Sequence, residues 1–472
     1  MSRFNKSVVI KRTVNRAGGE AFVQDEKHQL VGLLLTSMLK KQHYRSEDEQ
    51  MSELISLIAG MKDKHFVAQA AVFARNEYGM RSISHIAAAE IGKQVKGVMW
   101  TKEFFRTVAR RPDDVTEILA YFITNYGDTI PNAMKKGLGM ALSGYDAYRL
   151  AKYRGEGRVV SLVDAVNLCH PKHTPQLKKL VAGKLVSKDT WESRLTQAGQ
   201  QAESEEDKAD KKAEAWADLI RTRKIGYFAL LRNLRNIAQQ SPEVLDEALA
   251  LLVDEKLIRK SLVLPFRYTT AFEELQPLGN RNIISALSQA LDISLANVPK
   301  FKGKTLVAMD GSGSMAGQPA KIGSLFAAVL YKANDADLIT FESGAQYITP
   351  DPNSSTIAIA DGIIKSLRMR GTDFRTIFNT ANRHYDRIII LSDMQAWVGY
   401  ATPQREFAAY TKRYEANPFI YAFDLQGYGT MQFPADRIFQ LFGFSEKVFD
   451  VMQFIETDRN ALIKRIEAIS FD

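Results

Sequence analysis

The spacing of apolar residues changes once along this chain, near residue 300, and that change constrains the fold more than any composition figure. Before it, apolar residues recur with a helical period. Phe66, Ala70, Phe73 and Ala74 fall at i, i+4, i+7 and i+8. Val115, Ile118, Leu119 and Phe122 repeat the stripe, as do Leu230, Leu231, Leu234, Ile237 and Ala238. Strand-like alternation is nearly absent there. Proline and acidic residues at Pro112-Asp113-Asp114 and Ser241-Pro242-Glu243 mark helix starts, and Gly79, Gly92, Gly127 and Gly144 stand near expected stops. Many helices with short connections and no heptad seam predict stacked helix pairs of HEAT-like character, although no fixed sequence period emerges.

After Pro299 and Gly303, β-rich runs alternate with helical ones. Strands are expected at Thr305–Met309, Asp337–Phe341, Arg387–Leu391, Phe419–Phe423 and Arg437–Leu441, with helices near Ala320–Ala333 and Thr356–Leu367 and a closing helix from about Glu446 to Ile469. Such interleaving predicts a doubly wound, mostly parallel α/β sheet, in which ligands gather at the carboxyl ends of strands. The division expected is therefore a helical-repeat domain over 1–300 and an α/β domain over 301–472.

Charge separates the same two parts. The net charge is +9, with +10 carried through residue 300 and −1 beyond it. A basic helical body joined to a neutral α/β body points to a polyanionic partner for the first part. The single cysteine, Cys169, excludes an internal disulfide framework and suits a reducing compartment. The polar, basic start and the lack of any apolar run of membrane-spanning length predict a cytoplasmic protein with no membrane association.

Directly after the first α/β strand stands Asp310-Gly311-Ser312-Gly313-Ser314. One carboxylate and two hydroxyls at alternate positions can turn three oxygens toward a hard cation such as Mg²⁺ or Mn²⁺. The same tripeptide pattern also suits a capped strand-to-helix turn. Thr372 opens a helical segment, and Asp393 follows the apolar run Ile388-Ile389-Ile390-Leu391, so both should reach the same rim. No second metal cluster, paired carboxylates or neighbouring histidine base accompanies the set, so the chain is not expected to be an enzyme.

Basic side chains cluster in three places on the helical body. Lys152, Arg154 and Arg158 lead into Leu162–Cys169, which Pro171 should end, presenting His170 and Lys172 at the exit. Such a group offers phosphate contacts and a ring to meet an unpaired base, and equally describes a solvated helix end. Arg232 and Arg235 lie on a polar face opposite the leucine stripe, and Arg106, Arg110 and Arg111 precede Pro112. A zinc site at Cys169, His170 and His173 would lack a second ligand pair. The mixed-charge run Glu203–Glu214 reads as a solvated helix or an insertion.

The set Asp310, Ser312, Ser314, Thr372 and Asp393 resembles the metal-ion-dependent adhesion site of von Willebrand factor A domains, with Met394 where many relatives have glycine. The segments Phe73-Ala74-Arg75-Asn76, Arg110-Arg111-Pro112-Asp113-Asp114, Lys152-Tyr153-Arg154, Leu168-Cys169-His170-Pro171-Lys172, Leu230–Asn236 and Leu264-Pro265-Phe266-Arg267 resemble the TROVE module of Ro autoantigen proteins. Ro proteins join that module to a carboxy-terminal A domain in the same order. The resemblance implies a compact, bacterial-type member: a ring of HEAT-like helices closed by the A domain, monomeric, with a divalent cation, Mg²⁺ or Mn²⁺, at the A-domain site. It also implies binding of small noncoding Y-like RNA on an outer basic face around Lys152 and His170. Misfolded or single-stranded RNA 3′ ends would enter the central cavity, and a 3′ exoribonuclease such as polynucleotide phosphorylase would be a tethered partner. The alternative is a protein-interaction adaptor whose A domain takes an acidic partner through the cation.

Overall fold

The structure is a computed structural model. It describes residues 12–472 apart from 17, 24, 38–45, 154–157, 186–190, 201, 203, 396–402, 429, 433–436, 443–448, 450–451 and 453–460.

Helices fill most of the first part, each packed against neighbours in the chain. Each expected stripe is buried: Phe66, Phe73 and Ala74 in the helix Lys64–Asn76, Val115, Ile118, Leu119 and Phe122 in Pro112–Tyr126, and Leu230, Leu234 and Ile237 in Tyr227–Gln240. Local chemistry fixes the ends. Ser46 and Ser161 form capping boxes with Glu49 and Asp164, and Gly127 closes Pro112–Tyr126. Gly92, read above as a stop, lies inside the helix Ser82–Gln94 instead; a Cβ there would sit 2.2 Å from the Met134 side chain, so the glycine serves close packing of two helices. The run Glu203–Glu214 lies largely on the exposed start of the helix Glu205–Arg221, whose far end buries Trp216.

One part of the helical region departs from the expectation. Strands β1 (Arg12–Val14) and β2 (Glu20–Val23) form a hairpin, and β2 pairs antiparallel with β8 (Thr430–Met431) from the far end of the chain. Strands this short need a partner 400 residues away in sequence, which local periodicity cannot display.

The second part carries, among the described residues, a six-stranded sheet. It contains β3 (Thr305–Asp310), β4 (Asp337–Phe341), β5 (Ala345–Ile348), β6 (Arg387–Ser392), β7 (Phe419–Asp424) and β9 (Ile438–Phe442), in the order β5-β4-β3-β6-β7-β9. All neighbours are parallel except the antiparallel edge strand β5. Alternate residues feed two cores. Leu306, Ala308, Ile388, Ile390 and Ala422 face the helices Arg375–Thr380 and Pro403–Tyr414. Val307, Met309, Ile389, Leu391 and Phe423 join the core that runs on into the helical body. Of the expected closing helix, Ala461–Glu467 is described as a continuous segment, and residues 443–448 and 453–460 lie outside the described residues.

Besides the β2–β8 pairing, two aromatic seams among the described residues join the two parts. Near the crossover from helices to sheet, Phe266 stacks on Phe326 at 5.2 Å, and Phe326 on Phe449 at 5.3 Å. At the other seam the chain's end returns to its first helices. Phe471 stacks on Trp100 and meets Phe104 and His65 edge-on, while Gln69 Nε2 donates to the carbonyls of Glu467 and Ile469 at 2.7 and 2.8 Å. The helical body is thus held to the α/β body at both of its ends, which closes the chain into a circuit, as a helical ring with an α/β clasp requires.

Candidate metal centre and nucleic-acid interface

Four strand ends build the first site. Asp310 ends β3, Glu342 follows β4, Ser392 and Asp393 end and follow β6, and Asp424 ends β7, all at the carboxyl edge of the parallel sheet. The loop after β3 is zipped to the loop carrying Thr372: Met369 N donates to the Gly311 carbonyl (2.8 Å) and Gly313 N to the Arg370 carbonyl (3.0 Å). The Ser312 and Ser314 hydroxyls lie 3.3 Å apart, and Asp310 accepts from the Ser312 amide and the Ser392 hydroxyl. Asp310, Ser312, Ser314, Thr372 and Asp393 are all buried.

Electrostatics there favour a cation. Burial pushes the Asp310 carboxyl up to about 6, opposed by the Ser392 and Ser312 hydrogen bonds and assisted by the charge of Glu342. Burial, and then the charges of Asp310 and Asp424, push Asp393 well above the ordinary range. Asp393 Oδ2 is buried without a hydrogen-bond partner, although buried carboxylate oxygens are normally satisfied. Two mutually repelling carboxylates, one with an unpartnered oxygen, beside two serines fit a hard divalent cation. Among the described residues, no group of three or more His, Cys, Asp and Glu side chains is placed to hold a metal, so hydroxyls would supply the remaining ligands. Met394 is buried at φ +57, a left-handed conformation that costs a non-glycine residue about 1–3 kcal/mol and is held by its surroundings. The sequence did not single out Glu342, Ser392 or Asp424. Asp424 and Ser392 share the signal that revealed Asp310, a polar residue closing an apolar strand.

The basic residues are dispersed over several elements. His170 caps the helix Leu162–Cys169 in the left-handed region at φ 46 and is exposed, as is Lys172. Their turn is pressed onto the helix Asn132–Gly144: Ser143 Oγ donates to the Lys172 carbonyl at 3.0 Å, and a Cβ on Gly139 would come within 3.0 Å of the Cys169 carbonyl. Lys152 ends the helix Ala147–Lys152, which packs against Pro175–Val181 just beyond that turn; its ammonium lies over Tyr148 and Tyr153. Arg154 lies outside the described residues. Arg158 pairs with Glu117 at 3.0 Å. Arg232 is exposed on Tyr227–Gln240, and Arg235 on the same helix pairs with Glu274 at 2.8 Å. Lys135 extends the cluster near His170, close enough for its charge to act on Cys169.

Two sequence readings change role. Arg106 pairs with Glu103 in its own helix and Arg111 with Asp113 at the next helix start, while Arg110 donates to the Asn76 carbonyl of a neighbouring helix. Burial pushes the Cys169 thiol up to about 12, which disfavours the thiolate that zinc needs.

Residues 181–290 match the TROVE domain model. No curated protein sequence matches the chain. The structure is similar to the crystal structure of the Ro (RSR) protein of Deinococcus radiodurans, at 17% identity and a TM-score of 0.60, over 94% of this chain and 99% of that one. The chain therefore combines a TROVE segment with the fold of a bacterial Ro protein, a helical ring joined to a von Willebrand factor A-like α/β domain.

Proposed function

We propose that the protein is a non-enzymatic RNA-binding scaffold of the Ro type, acting in noncoding RNA quality control or decay in the cytoplasm. The observation that carries this reading is the TROVE match over 181–290 within a helical body that bears the chain's positive charge on exposed side chains. Lys152, Arg158, His170 and Lys172 would form the face for a small structured Y-like RNA, and Arg154, outside the described residues, is given the same role from the sequence. Lys172 neutralises phosphate, and the His170 ring meets a base or a ribose hydroxyl. Arg232 and Arg235, on the helix Tyr227–Gln240, would add further phosphate contacts, and single-stranded RNA 3′ ends would enter the ring cavity. Arg232 is exposed for phosphate contact, whereas Arg235 must exchange its carboxylate partner for phosphate.

On this reading RNA falls to a helical domain over 1–300 and cation chemistry to an A domain over 301–472. Asp310, Ser312, Ser314, Thr372 and Asp393 would hold Mg²⁺ or Mn²⁺, which supplies an open, electrophilic coordination position. The chain's own loops fix those oxygens in place. Acting as a monomer, the protein would present bound RNA to a 3′ exoribonuclease. A protein adaptor that captures an acidic partner at the cation is the second reading, favoured by the unpartnered Asp393 oxygen.

Sequencing RNA that co-purifies with the native protein tests the proposal. Enrichment of one or a few structured noncoding RNAs is expected. Recovery of only background ribosomal fragments contradicts it.

A further inference from the structure

The metal-site loops are also the loops that touch the seam where the chain closes on itself. Arg16, in the turn of the β1–β2 hairpin, donates its backbone N–H to Gln395 Oε1 at 2.7 Å. The Gln395 backbone N–H donates in turn to Asp393 Oδ1 at 3.2 Å. Two side-chain contacts thus separate the hairpin from a metal-site carboxylate.

A second route leaves the end of β7. Asp424 Oδ1 accepts from the amides of Gln426 (3.1 Å) and Gly427 (2.6 Å). Gly427 stands at φ +67, and a Cβ on it would lie 2.0 Å from Thr36 Oγ1, so this turn is seated directly on the helix Glu26–Thr36. Gln426 Nε2 donates to the Ser314 carbonyl at 3.3 Å, and the Tyr428 hydroxyl to Gln426 Oε1 at 3.0 Å. A third route runs from β8, which pairs with β2: Gln432 Nε2 donates to the Met394 carbonyl at 2.6 Å.

From these routes we infer that Gln395 and Gln426 are positioning residues through which cation binding at the Asp310–Asp393 site and closure of the hairpin seam form one linked equilibrium. The inference rests on the metal reading of the site. Its physical basis is that the Asp393–Gln395 loop is held on one side by the hairpin and on the other by the group its carboxylate binds. A cation that fixes the carboxylate fixes the loop and the hairpin seat; a loosened seat returns the same factor as weaker cation affinity.

Hydrogen exchange on the intact chain, with and without Mn²⁺ at a concentration shown by direct titration to be saturating, tests this. Bound Mn²⁺ should slow exchange at the amides of Glu20–Val23 by about fivefold or more, the lower end of ordinary coupling between sites. Asp310→Ala should abolish the effect together with Mn²⁺ binding. Gln395→Ala should still bind Mn²⁺, less tightly, and lose the protection. Arg16→Pro, which removes the hairpin N–H that Gln395 Oε1 accepts and leaves every metal-loop residue in place, should raise the Mn²⁺ dissociation constant by a similar factor. Saturating Mn²⁺ with unchanged hairpin exchange overturns the linkage and leaves the metal site standing. Absence of Mn²⁺ binding to the wild-type chain overturns both.

Discussion

Asp310 and Asp393 show how far a single position could be read. A carboxylate closing an apolar run identifies itself wherever a parallel strand is legible, so Asp310, Ser312, Ser314 and Asp393 stood out from the sequence. Asp424 carries the same signal at the end of β7 and was passed over, whereas Glu342 lies beyond the end of β4 and its nearness to the site depends on strand order, with β4 beside β3. The repulsion seen at Asp393 yields a prediction. Asp393→Asn should weaken Mn²⁺ binding at least about tenfold, yet leave the metal-free chain as stable or more so, because one buried like charge is gone. Calorimetric titration and thermal melts of the same variant measure both.

Asp114 is the opposite case, a residue read as an acid at a helix start that proves also to be a buried hub. Its carboxylate receives Arg75 at 2.9 Å and His85 Nε2 at 2.8 Å and caps its own helix through the Arg111 amide. Burial raises its pKa, but the hydrogen bond and charge of His85, and then Arg75, outweigh that, so the folded value lies below the usual 3.8. Asp114→Ala strands a buried arginine and should cost about 3–5 kcal/mol in urea unfolding at pH 7. A depressed acid pKa adds stability above the unfolded value that is lost as pH falls through the folded one. The gap between wild type and Asp114→Asn should therefore be constant near neutrality and close below about pH 4.

Among elements, helices were legible because stripes, proline starts and glycine ends are local signals, and strands β3, β4, β6 and β7 because buried parallel strands read as continuous apolar runs. The β1–β2 hairpin and edge strand β5 were not, being short and defined by their partners. Gly139 marks a boundary of the same kind. Its need for a bare backbone appears only once the turn Cys169–Lys172 is seen crossing its helix. Gly139→Val should push that turn away and weaken structured RNA about tenfold, ~1.4 kcal/mol, without altering any charge. Filter binding beside a circular-dichroism melt separates this from unfolding. Unchanged affinity would remove His170 and Lys172 from the RNA face.

At the scale of the whole molecule, two aromatic-rich seams close the circuit, and the positive charge lies on the helical side of it. Charge imbalance was visible in the sequence; which exposed basic side chains already have a carboxylate partner was not, since the fold alone brings Glu117 to Arg158 and Glu274 to Arg235. On the proposed function, this basic helical body grips RNA through its phosphates. The most direct test is the affinity for a structured RNA with a single-stranded 3′ tail across a series of salt concentrations, for wild type and for Lys172→Glu with Arg232→Glu. A steep loss of affinity with salt is predicted, with the slope reduced by about 2 in the double variant. Binding that is absent, or equally salt-dependent in both proteins, would contradict it.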